Sequence, residues 1–202
     1  MNVLEVIKLS FTNPTKLFEQ VGKSKKNNIG FSFGYFALLS FVNATLGALV
    51  SLLFFSAFSS FFNSLGVLPG VGLQSFGYGF QALIGFVLGL GLSFVSAGLL
   101  HLWILIFGGK AGYAKTYEMG AYAGTPALLF GWIPFLGLIG KIWSLVLLII
   151  ATQRVHKIEK MKSILMYVIP FVVLFILGII LVVVALVFAA GTGILTATGG
   201  LV

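Results

Sequence analysis

The chain contains no cysteine and no aspartate, and its carboxylates are Glu5, Glu19, Glu118 and Glu159. Without cysteine there is no disulfide framework, no thiolate chemistry and no cysteine-based zinc site. Paired carboxylates, HExxH and GxSxG are also missing, so a general acid/base pair or a hydrolytic metal site lacks its parts. The expectation is no enzyme, no metal and no cofactor. Charge of either sign is scarce: 8% of the 202 residues are Asp, Glu, Lys or Arg, against about 25% in a soluble domain. Such a chain lacks the polar surface to stay in water. A nucleic-acid binder needs clustered basic side chains on a solvated face. Here the net charge of +8 is divided among apolar runs, so no nucleic-acid partner is expected.

What is abundant is hydrocarbon. Apolar residues make up 59% of the chain, and the mean hydropathy is +1.15. A helix crossing a bilayer needs roughly 20 mostly apolar residues. Residues 1–28 contain no such run and no signal-peptide core. Apolar stretches follow at 29–57, 78–107, 119–133, 135–152 and 164–190. The fold class expected is all-α: a polytopic membrane helical bundle of five spans, with a short amphipathic N-terminal arm. The organisation is an arm at 1–28, a transmembrane domain at 29–190 and a short non-cytoplasmic tail at 191–202. Leu68-Pro69-Gly70 and Gly72 are breaker signals between the first two spans. The third span is short, at about 22 Å, and has Pro126 inside it. With Pro134 and Gly137 marking a turn, spans three and four are open to a second drawing as one re-entrant hairpin.

Basic residues collect on the cytoplasmic side in short loops. With five spans, one side holds Lys8, Lys16, Lys23, Lys25 and Lys26 in the arm, Lys110 and Lys115 after span two, and Arg154, Lys157, Lys160 and Lys162 after span four. Only Lys141 lies within a span. The expected orientation is N-terminus cytoplasmic and C-terminus outside, in the cell membrane. In the arm, Asn13-Pro14 is a helix start and Gly22 a helix stop. Val3, Leu4, Ile7 and Phe11, then Leu17, Phe18 and Val21, repeat at helical spacing. They predict two amphipathic segments lying in the interface, with the lysines fixing topology and facing anionic lipids.

Gly85, Gly89, Ser93 and Ala97 recur every four residues, a ridge that lets another helix approach closely. Gly120 and Gly124 form one further GxxxG pair. The contact is either internal or between copies of the chain, so a homo-oligomer or a protein partner is expected. Two ionisable side chains fall inside spans. Lys141 either snorkels to the outer surface or meets a carbonyl released by Pro126 or Pro134. His101 is either a neutral packing residue or a proton sensor. Asn43 and Thr45 are suited to interhelical hydrogen bonds.

The run His101-Leu-Trp-Ile-Leu-Ile-Phe107-Gly108-Gly109, then Ala121-Tyr122-Ala123-Gly124-Thr125-Pro126, Trp132-Ile133-Pro134, Gly137, Trp143 and finally His156 resembles the Yip1 domain family over about residues 10–185. Asn13-Pro14 and Phe18 in the arm fit the same pattern. The resemblance implies a five-span helical protein with a cytoplasmic N-terminus. It marks His101, Tyr122, Pro126, Pro134, Trp143 and His156 as candidate functional or structural positions, beside Glu118 and Lys141, which are candidates as scarce ionisable groups. Eukaryotic relatives act in vesicle traffic and bind Rab GTPases through an acidic, aromatic arm. This arm carries no aspartate and is similar to the compact archaeal and bacterial type. Two functions are therefore expected: a non-enzymatic scaffold or adaptor in membrane organisation, or a small transporter or channel with a cavity near Lys141 and His101.

Overall fold

The computed structural model describes residues 1–24, 26, 28–64 and 75–198. Lys25, the breaker signals from Leu68 to Gly72 and residues 199–202 of the tail lie outside the described residues. Every regular element described is an α-helix. The arm forms α1 (Val3–Thr12) and α2 (Pro14–Lys23). Each begins on an asparagine. Asn2 Oδ1 accepts from the Glu5 N–H at 2.8 Å, and Asn13 Oδ1 from the Lys16 N–H at 3.0 Å. These caps satisfy N–H groups that a helix start leaves without partners. Pro14 occupies the first turn of α2, where a missing N–H costs nothing.

Four helices are long and apolar enough to cross a membrane. They are α3 (Ile29–Ser64), α4 (Ser75–Ile106), α7 (Leu136–Val155) and α8 (Lys160–Thr198). The protein is an all-α membrane bundle. The stretch 119–133, read from sequence as a third span, is a broken limb rather than one helix: the end of α5 (Tyr113–Ala123), all of α6 (Thr125–Phe130) and a turn. Neither helix reaches span length: α5 has 11 residues and α6 has 6, about 17 Å and 9 Å of rise.

Pro126 sets this break. Its ring removes the donor that would have reached the Tyr122 carbonyl. The Thr125 hydroxyl donates to that carbonyl instead, at 2.6 Å. The far end of α6 is satisfied from the side. Asn43 Nδ2 of α3 donates to the Leu128 carbonyl at 2.7 Å, and Trp132 Nε1 donates to the Leu129 carbonyl at 2.8 Å. Broken backbone is tolerated at membrane depth only where protein supplies such partners. The chain then turns through Pro134, with Phe135 in the left-handed region at φ 66°, and returns as α7 against α6 and α5.

Residues 1–163 form one compact unit. Its core holds Val6, Leu17, Phe18 and Val21 of the arm with Ile104, Met119, Tyr122, Leu147 and Ala151, all buried. The arm therefore departs from the sequence expectation. In α2 the apolar face of Leu17, Phe18 and Val21 is spent on protein rather than on lipid, because α2 lies against α7 and α5, while Leu4 and Phe11 of α1 stay exposed. Gly22 sits so close that a Cβ there would approach the Arg154 carbonyl oxygen to 3.0 Å. Glu19 accepts from Arg154 Nη1 at 3.1 Å on the rim. Residues 164–202 form a second unit. It consists of most of α8, which carries Pro170 inside it and exposes its described side chains from Val172 to Phe188.

Candidate functional site

The most closely built polar cluster joins α4, α5 and the end of α7. His101 Nδ1 lies 2.8 Å from Thr116 Oγ1, and Thr116 Oγ1 lies 3.0 Å from His156 Nε2. One hydroxyl thus bridges two imidazoles whose ring centroids are 6.1 Å apart. Thr116 and His156 are fully buried; His101 is half-buried, with Tyr113 edge-on to its ring. A hydroxyl has one proton, so it donates to one histidine and accepts from the other. Two neutral imidazoles suit that arrangement. Burial, with a smaller contribution from the neighbouring His101, pushes the His156 pKa down to about 4.

The turn after α4 closes over His156. Gly108 has φ 88°, a conformation natural to glycine. Gly109 is fixed by close approach. A Cβ there would lie 2.9 Å from His156 Nδ1 and 3.0 Å from the Ile104 carbonyl oxygen. The Gly109 N–H donates to that carbonyl at 3.0 Å, and the Lys110 N–H donates to the His156 carbonyl at 3.3 Å. Nδ1 of His156 is buried and has no hydrogen-bond partner.

A second cluster surrounds Glu118, whose side chain is 1% exposed. Lys115 Nζ donates to Glu118 Oε2 at 2.8 Å and to the Lys26 carbonyl at 3.1 Å. Further along, the Ser32 hydroxyl reaches Tyr122 Oη at 3.3 Å, and Tyr35 Oη lies 2.6 Å from Thr125 Oγ1. The rings of Tyr35 and Tyr122 meet edge to face at 5.3 Å. These groups fasten α3 to the broken α5–α6 limb. Buried hydroxyls in such a seam are worth keeping only when paired.

The candidates from sequence separate on this framework. His101 and His156 come together; Glu118, Tyr122 and Pro126 belong to the seam beside them. Trp143 Nε1 donates to the Ser10 carbonyl at 3.2 Å and so holds the end of α1 to α7. Pro134 stays in the turn, its carbonyl accepting from the Leu136 N–H at 2.8 Å. Lys141 stands apart: it is exposed, and the carbonyls near Pro126 are met by Asn43 and Thr125. It lies fifteen residues from His156 along one helical path, about 22 Å. The cavity expected near both Lys141 and His101 is therefore absent among the described residues, because the two sit toward opposite ends of α7.

The small-residue ridge also reads differently in three dimensions. A Cβ on Gly85 or Gly89 would meet nothing within 4 Å, so no described helix packs closely on those two glycines, although α3 meets the same stretch of α4 through Phe41 and Phe86. Lower down, Gly89, Ser93 and Ala97 face Gly120 and Gly124 across an apolar cavity of about 590 Å³. Ser93 and Tyr117 close one side with hydroxyls 3.0 Å apart. Thr116, Ser32 and Tyr35 were not singled out in the sequence. Hydroxyls carry no periodic signature, and their partners are tens of residues away.

Residues 8–183 match the model of the Yip1 domain. No curated protein and no solved structure matches the chain.

Proposed function

The chain belongs to the Yip1 domain family, and from that premise we propose that it acts as a non-enzymatic scaffold or adaptor in membrane organisation. Family members are generally non-enzymatic membrane proteins. The observation that carries the reading is the docked arm. Held to α7 and α5 by Leu17, Phe18 and Val21, the arm makes a rigid platform instead of a loose tether. Lys8, Lys16, Lys23 and Lys26 stay exposed on it, and Lys110, Arg154 and Lys157 are exposed in the flanking turns. A preordered basic face suits anionic head groups, each lysine near the surface contributing about 1 kcal/mol. It also suits an acidic face on a protein partner or on a second copy of the chain.

The platform faces the cytoplasm on this reading, since the arm and the two loops on its side hold eleven of the twelve basic residues and positive loops stay inside. The C-terminus lies outside, and the membrane is the cell membrane. Compartment-specific reporters fused to each end test the orientation; signals from a single compartment overturn it. Cross-linking in native membranes tests the role. Discrete homo-oligomers or one reproducible partner are expected, and isolated monomers alone would refute the scaffold reading.

A further inference from the structure

We propose that the Gly108–Lys110 turn is a proton-operated latch, held shut over neutral His156 and released when His156 takes up a proton on Nδ1. A proton there has no acceptor while the turn stays closed. Nδ1 is buried without a partner, and Gly109 covers it: a Cβ on that residue would come within 2.9 Å of Nδ1 while also clashing with the Ile104 side chain. The opposite nitrogen, Nε2, is already engaged with the Thr116 hydroxyl at 3.0 Å. With Nδ1 bare, Nε2 carries the hydrogen and donates to Thr116, whose own proton turns toward His101 Nδ1. A second proton on His156 must therefore go to Nδ1, where it needs water or an acceptor. Withdrawal of Gly109 supplies both. The same movement breaks the bond from the Lys110 N–H to the His156 carbonyl.

The electrostatic surroundings of His156 are few. From α4 it faces His101, and behind that ring stands Tyr113 of α5. From the turn itself comes Lys110, whose side chain is exposed. Its chain neighbours are Lys157, also exposed, and Arg154, which is engaged with Glu19 of α2. No carboxylate contacts the imidazole among the described residues, so nothing there holds an imidazolium in the closed state. Opening lets the ring return to an ordinary histidine, near 6.5. The closed value is about 4. Linkage between those two values makes the open form about 30-fold more populated at pH 5 than at pH 7.5. Acidification thus loosens one edge of the basic platform, a regulation independent of whether the scaffold reading holds.

Hydrogen exchange on the full chain in lipid nanodiscs tests this. Rates are corrected for the intrinsic pH dependence, with the amides of α5 as internal reference. The Gly109 and Lys110 amides are expected to lose about 30-fold in protection from pH 7.5 to pH 5 while the reference holds. Unchanged protection, or an equal fall throughout α5, overturns the proposal. The His156→Gln variant should show the same protection at both pH values; a persisting pH dependence would place the proton elsewhere. Gly109→Ala should be open at both pH values, and a closed, pH-responsive turn in that variant also overturns the latch.

Discussion

Removing the Phe18 ring asks directly whether protein or lipid holds the arm. Phe18 is fully buried, and so are its neighbours Leu17 and Val21. The surrounding wall cannot collapse far, because the Gly22 backbone already abuts the Arg154 carbonyl. Phe→Ala at such a site costs roughly 3–5 kcal/mol. At 1.4 kcal/mol per tenfold, the ratio of docked to undocked arm falls by about two to three and a half powers of ten. Leu4 is the internal control, since it lies on the same arm but is 77% exposed, and Leu4→Ala should stay within about 0.5 kcal/mol. The assay is tryptic cleavage at Lys16 and Lys23 in lipid nanodiscs, under conditions where the cleavage rate follows the open fraction. Phe18→Ala should be cut far faster than wild type, and Leu4→Ala at the wild-type rate. Equal acceleration by the two substitutions would mean that both side chains contact the same medium. The packed arm would then be wrong.

Gly140→Ala should lower the thermal midpoint, by about 1–3 kcal/mol of overpacking: its Cβ would lie 2.6 Å from the Pro126 carbonyl oxygen, backbone that cannot swing aside. Gly85→Ala, with nothing within 4 Å, should be neutral or slightly stabilising through helix propensity, and a loss comparable to that of Gly140→Ala would restore the expected helix contact on the ridge. Lys115→Ala leaves Glu118 as a buried charge without its cation and should cost about 3–5 kcal/mol; Glu118→Gln should cost less, and the reverse order in thermal unfolding would show that the pair is not what matters. The overall stability of the wild type should depend on pH through His156. Its folded pKa of about 4 lies below the unfolded value near 6.5, so between them the unfolded chain binds the extra proton. Stability is then fully present above pH 6.5 and falls by up to about 3 kcal/mol as the pH drops to 4. His156→Gln should flatten that part of the profile in denaturant titrations, and an unaltered slope would contradict the assignment.

The long apolar helices were legible because hydropathy is a local sum over about 20 residues. The start of α2 was legible for the same reason: Asn13-Pro14 contains the cap and the first turn within itself. The break at Pro126 was visible and a broken helix was among its expected outcomes, but the groups that stabilise the break were not. Whether a proline merely kinks a span or ends it depends on who accepts the released groups, and here the answers are Thr125 beside it and Asn43 on another helix. The ridge finds α5 at Ser93 and Ala97 but no close neighbour among the described residues at Gly85 and Gly89, because spacing describes one surface and packing needs two. Both histidines stood out by their rarity. Their pairing did not, since Thr116 bridges positions 55 residues apart in the chain.

The bond from Asn43 to the Leu128 carbonyl spans 85 residues, and the order of synthesis turns that distance into time. At about 5–20 residues per second the ribosome needs roughly 4 to 17 s to make the second partner after the first. Throughout that interval α3 has left the ribosome with the Asn43 amide and the Tyr35 hydroxyl, whose companions do not yet exist. Insertion of this protein therefore calls for a waiting place where a half-polar helix is sheltered from the acyl chains, either beside the insertion machinery or against a newly made α4.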